Sequence, residues 1–117
     1  MVTNQNRPIR ITNAFATSMF KNPERMVVEF RRLTPQQLRE LTESAVDVIS
    51  YIRHPATANL VSNIVGRVLE PNNSNYIYRD GDIVVIVTLV APQRGQEATS
   101  VREEDIVIYQ ATIRELE

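Results

Sequence analysis

Apolar and polar residues alternate at residues 9–13, and this pattern predicts a half-buried β-strand. Residues 83–91 depart from alternation, because nearly all of them are apolar and most are β-branched. Such a composition is typical of a strand that is covered on both faces and lies at the centre of a sheet. We expect the first two strands to pair with each other, and Asp80 and Gly81 to form a hairpin turn. The predicted strands are residues 9–13, 26–32, 76–78, 83–91 and 106–113.

Apolar residues at helical spacing predict a first helix after the second strand. Thr34, Pro35 and Gln37 have the form of a capping box with proline at the first helical position, which places the start of the helix. The apolar positions continue to Val48, so the helix is predicted to run to about Ser50.

A second helix carries its own start and stop signals. Pro55 suits the first helical position, with His54 as the cap, and Gly66 sits where a left-handed residue ends a helix. Residues 51–54 must form a sharp corner between the helices, because the residue before a proline avoids the helical conformation. The apolar face of the second helix is predicted from Leu60, Val61, Ile64, Val65 and Val68.

The order strand, strand, helix, helix and three strands indicates an α+β fold. We predict a mixed central β-sheet of about five strands flanked by helices, in one compact domain spanning residues 1–117. Residues 1–7 are predicted to be a loose polar lead-in, residues 93–97 a polar loop after the buried strand, and residues 100–103 the cap of a short helical turn.

The composition argues against several kinds of site. The chain has 13 basic and 14 acidic residues, and a net charge of −1 argues against a duplex-DNA surface, which needs a basic excess. Cysteine is absent, and one histidine is too few for the usual zinc ligands within one subunit, so we expect metal-free chemistry with no cofactor. No apolar run is long enough to cross a bilayer, so we expect a soluble cytoplasmic protein without a membrane partner.

Polar residues gather at the ends of predicted elements, in residues 13–18, 53–57 and 94–97. A helix start attracts anions, because its first N–H groups lack partners and the helix dipole is positive there. Arg53, the His54 imidazole and the Thr57 hydroxyl add to this site, so a phosphate-containing ligand is indicated. Plainer roles stay open for each cluster: a turn cap for Asn13, a helix cap for His54, and a surface ion pair for Arg94 and Glu97.

Three motifs lie in these clusters: Asn13-Ala14-Phe15, then Ile52-x-His54 leading into Thr57-x-x-Leu60-Val61 and Gly66, then Gln93-Arg94-x-x-Glu97. In order and spacing they resemble the small viral ring nucleases that act as type III anti-CRISPR proteins. The resemblance covers residues 9–113 and implies a compact homodimer that binds cyclic tetra-adenylate, the second messenger of type III CRISPR defence, and cuts it without a metal. A ring of four nucleotides has two-fold symmetry available, so we expect the site to straddle the dimer axis. A virus-encoded chain would act in the host cytoplasm.

The resemblance assigns roles residue by residue. His54 falls on the catalytic histidine, Arg94 and Glu97 on a ligand-facing pair, Asn13 on the first-strand asparagine, and Thr57 on a threonine of the helix start. The chain departs from the family pattern at Ala16, Arg53, Pro55 and Ala56, which leaves the accepted ring size open. The predicted catalytic residues are His54 and Glu97, and the predicted substrate-binding residues are Asn13, Ala14, Phe15, Ala16, Arg53, Ala56, Thr57 and Arg94, with adenines against Phe15 and Met19.

An RNA phosphodiester contains its own nucleophile, the adjacent 2′-hydroxyl, so cleavage needs in-line positioning, charge neutralisation and a proton for the departing 5′-oxygen. His54 is predicted to give that proton as general acid, and Glu97 to orient Arg94 or contact a ribose hydroxyl. The products would be linear, with 2′,3′-cyclic phosphate ends, and type III CRISPR signalling would be switched off. Two alternatives stay open: a non-catalytic sponge that binds a cyclic oligonucleotide, and a small nucleic-acid-binding accessory protein.

Overall fold

The computed structural model describes residues 8–21, 25–43, 45, 47–79, 81–90 and 101–116. The strands are β1 (Ile9–Thr12), β2 (Arg25–Leu33), β3 (Val48–Tyr51), β4 (Ile83–Leu89) and β5 (Ile106–Leu116), and the helices are α1 (Pro35–Glu43) and α2 (Pro55–Val65). The strands form one sheet in the order β2-β5-β4-β1-β3. β1 runs parallel to β3 and β4, whereas β5 runs antiparallel to β2 and β4. The predicted α+β class with a mixed five-stranded sheet is confirmed.

Within the apolar run at residues 83–91, Ile83–Leu89 form β4 at the centre of the sheet. Val84, Val85 and Val87 are fully buried, and Ile86 is nearly so. Val85 and Val87 pack into the core beneath the helices, whereas Val84 and Ile86 pack into a second core on the opposite face. Because both faces of β4 are covered from Val84 to Val87, each of these four positions favours an apolar side chain. The prediction of a central strand is confirmed.

Both helices pack on the same face of the sheet. At the start of α1, the Gln37 backbone N–H donates to Thr34 Oγ1 at 3.0 Å, and the Thr34 N–H donates to Gln37 Oε1 at 2.8 Å, so the predicted capping box is present. α2 begins at Pro55 with His54 as its cap and ends at Gly66, which has a left-handed φ of 74°. Both predicted ends of α2 are confirmed.

In the described part of the chain, loops and one short helical turn, rather than α-helices, cover the opposite face of the sheet. Met19 and Tyr76 are buried there beside β4, and partly buried aromatic rings pack around them. The rings include Tyr51 and Tyr76 with centroids 5.1 Å apart, and Phe20 and Tyr78 with centroids 5.4 Å apart. The segments that follow β1 and precede β4 are therefore held against the sheet by apolar contacts.

The prediction of a first helix running to about Ser50 is wrong. α1 ends at Glu43, and Val48–Tyr51 form β3, which pairs in parallel with β1. Val48 packs against the helix-side core and Tyr51 against the opposite one, as a strand with a period of two requires. Apolar residues at 48 and 49 fit either pattern, and pairing with β1 decides between them. The corner before α2 is therefore shorter than predicted, and spans residues 52–54.

The predicted pairing of the first two strands is also wrong. β1 lies between β3 and β4, and β2 pairs instead with β5, where Val28 lies opposite Ile113. β1 has four residues, whereas β2 has nine and β5 has eleven. Among the described strands, only β5 is long enough to pair with all nine residues of β2.

Residues 76–78 are not a strand, so the predicted hairpin is wrong. The segment crosses the sheet as a loop, and the Tyr78 N–H donates to the Met19 carbonyl oxygen at 2.8 Å. A turn does follow, because the Asp82 N–H donates to the Arg79 carbonyl oxygen at 2.9 Å and Gly81 has a φ of 97°. The Tyr-Ile-Tyr pattern reflects burial of the Tyr76 ring rather than strand pairing.

One smaller prediction is wrong as well. Val68 is 82% exposed rather than part of the apolar face of α2, because the helix ends before it. A short helical turn, Glu103–Asp105, is present where residues 100–103 were predicted to cap one, and the N–H of its cap residue Arg102 donates to Asp105 Oδ2 at 3.1 Å. Residues 1–7 and 93–97 lie outside the described residues. Within the described part of the chain, no helix is long and apolar enough to span a membrane.

Candidate functional site

The carboxyl ends of β1 and β3 meet at one edge of the sheet. Thr12 at the end of β1 lies beside Tyr51 at the end of β3 and beside Ile86 of β4, and these three strands are parallel. Loops at the carboxyl ends of parallel strands are where open sheets bind ligands. The polar cluster after β1 and the corner before α2 are therefore brought to the same edge. β4 also ends there, but Arg94 and Glu97 after it lie outside the described residues.

A cavity of about 300 Å³ lies at this edge. Four of the predicted substrate-binding residues line it: Asn13, Ala14, Ala16 and Arg53. Its other lining residues come from the end of β1, the turn after it, Tyr51 and the loop before β4, and include Ser18, Met19, Ser74, Asn75, Tyr76 and Ile77. The first and second polar clusters thus contribute to one concave surface.

The loop after β1 has a defined conformation. The Thr12 hydroxyl donates to the Ala14 carbonyl oxygen at 3.1 Å, which fixes the direction in which the chain leaves the strand. A single helical turn, Thr17–Met19, then follows, and its Met19 N–H donates to the Ala16 carbonyl oxygen at 3.0 Å. The Met19 side chain is buried beneath the cavity.

Phe15 does not line the cavity, although it was predicted to bind substrate. Its ring packs against Phe20 and against Phe30 of β2, with centroid separations of 5.8 and 5.2 Å. Phe15 therefore belongs to the apolar layer on this face of the sheet. Met19 shares that layer and also forms part of the cavity wall.

Arg53 leaves the end of β3 and reaches the loop that precedes β4. Its side chain is exposed, and Nη2 donates to Asn75 Oδ1 at 2.8 Å. Both residues line the cavity. An arginine carries five N–H donors, so this hydrogen bond leaves others for an anion.

His54 follows Arg53 directly and caps α2. Its backbone carbonyl oxygen accepts from the Ala58 N–H at 2.9 Å, while its side chain makes no capping hydrogen bond. Instead, Nδ1 of the half-buried imidazole lies 2.8 Å from Thr57 Oγ1. Because this contact uses Nδ1, Nε2 is the nitrogen through which the ring would exchange a proton with a ligand.

Thr57 and Ala56 do not line the cavity, although both were predicted to bind substrate. Thr57 is only 2% exposed, and its hydroxyl contacts the His54 ring. Ala56 is half-buried in the first turn of α2. His54 itself is also absent from the cavity wall, and only its neighbour Arg53 contributes a side chain there.

The loop before β4 contributes residues that the sequence analysis did not single out, namely Ser74, Asn75, Tyr76 and Ile77. The only signal in the sequence was a run of small polar residues at 72–75 directly before an aromatic residue. Such a run predicts a loop, and only the fold shows that this loop lies against the end of β3. The Asn72 N–H donates to the Ile52 carbonyl oxygen at 2.9 Å, and this hydrogen bond holds the loop against the residue that follows β3.

A buried acid anchors the far side of this loop. The Tyr76 hydroxyl donates to Asp82 Oδ2 at 2.6 Å, and both residues are 7% exposed. Burial and the hydrogen bond to Asp82 raise the pKa of Tyr76 well above its usual range, so the phenol stays protonated. A second cavity of about 300 Å³ lies beside this pair and is also lined by Arg10 and Arg79. In the described part of the chain, no three His, Cys, Asp or Glu residues group together in a way that could hold a metal ion.

Comparisons with known proteins agree with this architecture. The sequence model of the family described as STIV B116-like matches residues 9–113. Among solved structures, B116 of Sulfolobus turreted icosahedral virus is similar with a TM-score of 0.69 and 23% sequence identity. The match covers 89% of this chain and 97% of the B116 chain, and at that identity it shows a shared fold. A comparison with curated proteins found no match.

Proposed function

The chain belongs to the STIV B116-like family, and we propose that it is a metal-independent ring nuclease that opens cyclic tetra-adenylate and so switches off type III CRISPR signalling. One observation carries the proposal. His54 caps α2 directly after Arg53, which lines a cavity at the carboxyl ends of parallel strands, so a general acid and a phosphate-binding cation leave the same corner. Cyclic tetra-adenylate is proposed as the substrate because the motifs of this chain resemble those of the viral ring nucleases.

The reaction needs the atoms of the substrate, one proton donor and water as the proton acceptor. The 2′-hydroxyl oxygen attacks the adjacent phosphorus, the bond from phosphorus to the 5′-oxygen breaks, and a 2′,3′-cyclic phosphate forms. His54 Nε2 donates a proton to the departing 5′-oxygen, and the proton of the attacking hydroxyl passes to water. A general acid in this position contributes roughly 10²- to 10⁴-fold to the rate.

Thr57 serves His54 in both of its protonation states. A threonine hydroxyl can either donate or accept a hydrogen bond. The cationic imidazole donates from Nδ1–H to Thr57 Oγ1, and because the acid proton leaves from Nε2, the neutral ring keeps Nδ1–H and still donates to the same oxygen across 2.8 Å. The contact therefore keeps the ring orientation, and with it the direction of Nε2, through the proton transfer.

Charge on the transferred phosphoryl group is neutralised by arginine. Arg53 lines the cavity with donors to spare, and Asn13 adds a polar side chain from the other wall. Arg94 is proposed to contact the ligand in the same way. Glu97 is proposed as the second catalytic residue, which orients Arg94 or contacts a ribose hydroxyl.

The site is proposed to be shared between two chains. A cavity of about 300 Å³ is at the lower end of the range for a small ligand, and a ring of four nucleotides is larger than that. A two-fold homodimer would place two such cavities and two copies of His54 around a ligand that can share the symmetry. The ligand is a single compact nucleotide ring, and the net charge of −1 gives no reason to expect duplex DNA.

The decisive experiment is incubation of the purified protein with cyclic tetra-adenylate in excess chelator, with products separated by chromatography and identified by mass. We expect linear products that end in a 2′,3′-cyclic phosphate. His54→Ala should bind the ring with nearly unchanged affinity and cleave it roughly 10²- to 10⁴-fold more slowly in single turnover. An intact ring that stays bound to the parent protein would favour the sponge, and a ring that is neither bound nor cut would reject both interpretations.

A further inference from the structure

The hydrogen bond between Arg53 and Asn75 links two separate segments at the cavity. Arg53 belongs to the corner after β3, whereas Asn75 lies 22 positions later in the loop before β4. Both side chains are exposed, yet the donor and acceptor lie only 2.8 Å apart. An exposed arginine has many rotamers in solution, so an acceptor that selects one of them restricts where the charge lies.

The segment that carries Asn75 is fixed on both sides. Before it, Asn72 Nδ2 donates to the Ser50 carbonyl oxygen at 3.0 Å, and Asn72 Oδ1 accepts from the Ser74 N–H at 2.9 Å. After it, the Tyr76 ring packs on Tyr51 of β3, with centroids 5.1 Å apart. Asn75 therefore presents its acceptor from a segment attached to the same strand that Arg53 leaves.

The chemistry of the acceptor also matters. The acceptor is the side-chain amide oxygen Oδ1 of Asn75. Because this oxygen is neutral, it orients the guanidinium without cancelling its positive charge. A carboxylate at the same position would pair with Arg53 and compete with an anionic ligand. Among the described residues, the guanidinium uses only Nη2 for a hydrogen bond, and the remaining N–H groups can donate to a phosphate at the cavity.

We propose that Asn75 is a positioning residue that holds Arg53 in the orientation that binds a phosphate of the ligand. The inference rests on the proposed function, since it concerns the same cavity and the same cyclic tetra-adenylate. It assigns Asn75 an effect on affinity that acts only through Arg53.

The test measures cyclic tetra-adenylate affinity by calorimetry for Asn75→Ala, Asn75→Asp, Arg53→Ala and the Arg53→Ala/Asn75→Ala double variant. To keep the ligand intact, each variant also carries His54→Ala. Asn75→Ala should weaken binding about 3- to 10-fold, because one hydrogen bond to the guanidinium is lost. Asn75→Asp should weaken binding further, and should lower its salt dependence to that of Arg53→Ala. When Arg53 is already replaced by alanine, Asn75→Ala should leave the affinity for cyclic tetra-adenylate unchanged.

Asn73→Ala is the matched control. Asn73 is an exposed asparagine of the same loop and does not line the cavity, so its replacement should leave affinity at the parental value. Circular dichroism of each variant establishes that the fold is kept. Equal losses from Asn75→Ala with and without Arg53 would overturn the inference while leaving the proposed function intact. A parent protein that binds no cyclic tetra-adenylate would overturn both.

Discussion

Arg53 and His54 are neighbours in the chain, yet their side chains have different partners. Arg53 donates to Asn75, in the loop before β4, whereas the His54 ring contacts Thr57 in the first turn of α2. Pro55 explains this division, because the residue before a proline is kept extended, and His54 has φ −78° and ψ 117°. Successive side chains of an extended segment point in opposite directions. The extended conformation before Pro55 thus directs the Arg53 side chain towards Asn75 and the His54 ring towards Thr57.

The contact between His54 and Thr57 gives a prediction that separates positioning from substrate binding. Thr57→Val keeps the shape of a buried side chain and removes the hydroxyl that holds Nδ1. We expect cleavage of cyclic tetra-adenylate to slow about 10-fold, with little change in affinity, because a hydrogen bond to a charged group is worth about 1.5 kcal/mol or more. Single-turnover rates and binding constants, measured side by side, provide the check.

Thr57→Ser is the control for this substitution, because it keeps the hydroxyl and loses only a methyl group. It should retain most of the parental rate. If Thr57→Val instead weakened binding and left the rate constant for cleavage unchanged, Thr57 would contact the substrate directly, as the motif resemblance first indicated.

At the scale of elements, local signals were enough for some parts of the fold. The capping box at Thr34, the proline and glycine at the ends of α2, and the β-branched run of β4 each specify their element without help from distant residues. β3 could not be recognised in this way. It has only four residues, and its apolar positions also fit a helix, so pairing with β1 decides its conformation.

The candidate site was predictable to a similar degree. Asn13 and Arg53 could be assigned to a ligand site, because motifs at the ends of elements indicate loops that carry ligands, and both residues line the cavity. Asn75 could not be found, since its role depends on a long-range contact with Arg53. Phe15 and Thr57 were assigned to the ligand by motif, whereas burial against other side chains places one in the apolar layer and the other against His54.

The loop before β4 depends on a hydrogen bond that can be tested through pH. Replacement of Tyr76 by Phe leaves Asp82 buried with only the Arg79 N–H as a partner among the described residues, and should reduce the free energy of unfolding by about 1 to 3 kcal/mol near neutral pH. Burial and Asp82 raise the pKa of Tyr76 in the folded state above its ordinary value of about 10. The protonated phenol is therefore favoured by folding.

The sign of the pH dependence follows from that shift. Below about pH 10 the phenol is protonated in both states, and the contribution of Tyr76 to stability is fully present. Above about pH 10 the unfolded state ionises first, so this contribution should fall by about 1.4 kcal/mol per pH unit. Urea unfolding of the parent and of Tyr76→Phe should show a difference that shrinks as pH rises. Tyr109→Phe is the control, and a difference independent of pH would contradict the assignment.

For the whole molecule, the arrangement of parallel strands brings the loops of the candidate site to one edge. β3, β1 and β4 send their carboxyl ends to one edge, and the helices cover only one face of the sheet. On the opposite face, loops and aromatic rings surround two cavities of about 300 Å³ each, which share Tyr51, Asn75, Tyr76 and Ile77 as walls. One chain therefore presents a divided surface, and the proposed ligand, a ring of four nucleotides, would need a second surface to enclose it.

Assembly is the prediction that follows from this shape. We expect a homodimer that binds one cyclic tetra-adenylate per two chains, with the two copies of His54 related by the two-fold axis. Light scattering with and without ligand gives the mass, and calorimetry gives the stoichiometry. A further check mixes parent chains with an excess of His54→Ala chains. Because each mixed dimer keeps one general acid, it should still cut the ring at one of its two symmetry-related positions, at about half the parental rate. A protein that stays monomeric with ligand bound, or that binds one ring per chain, would contradict a site shared across the axis.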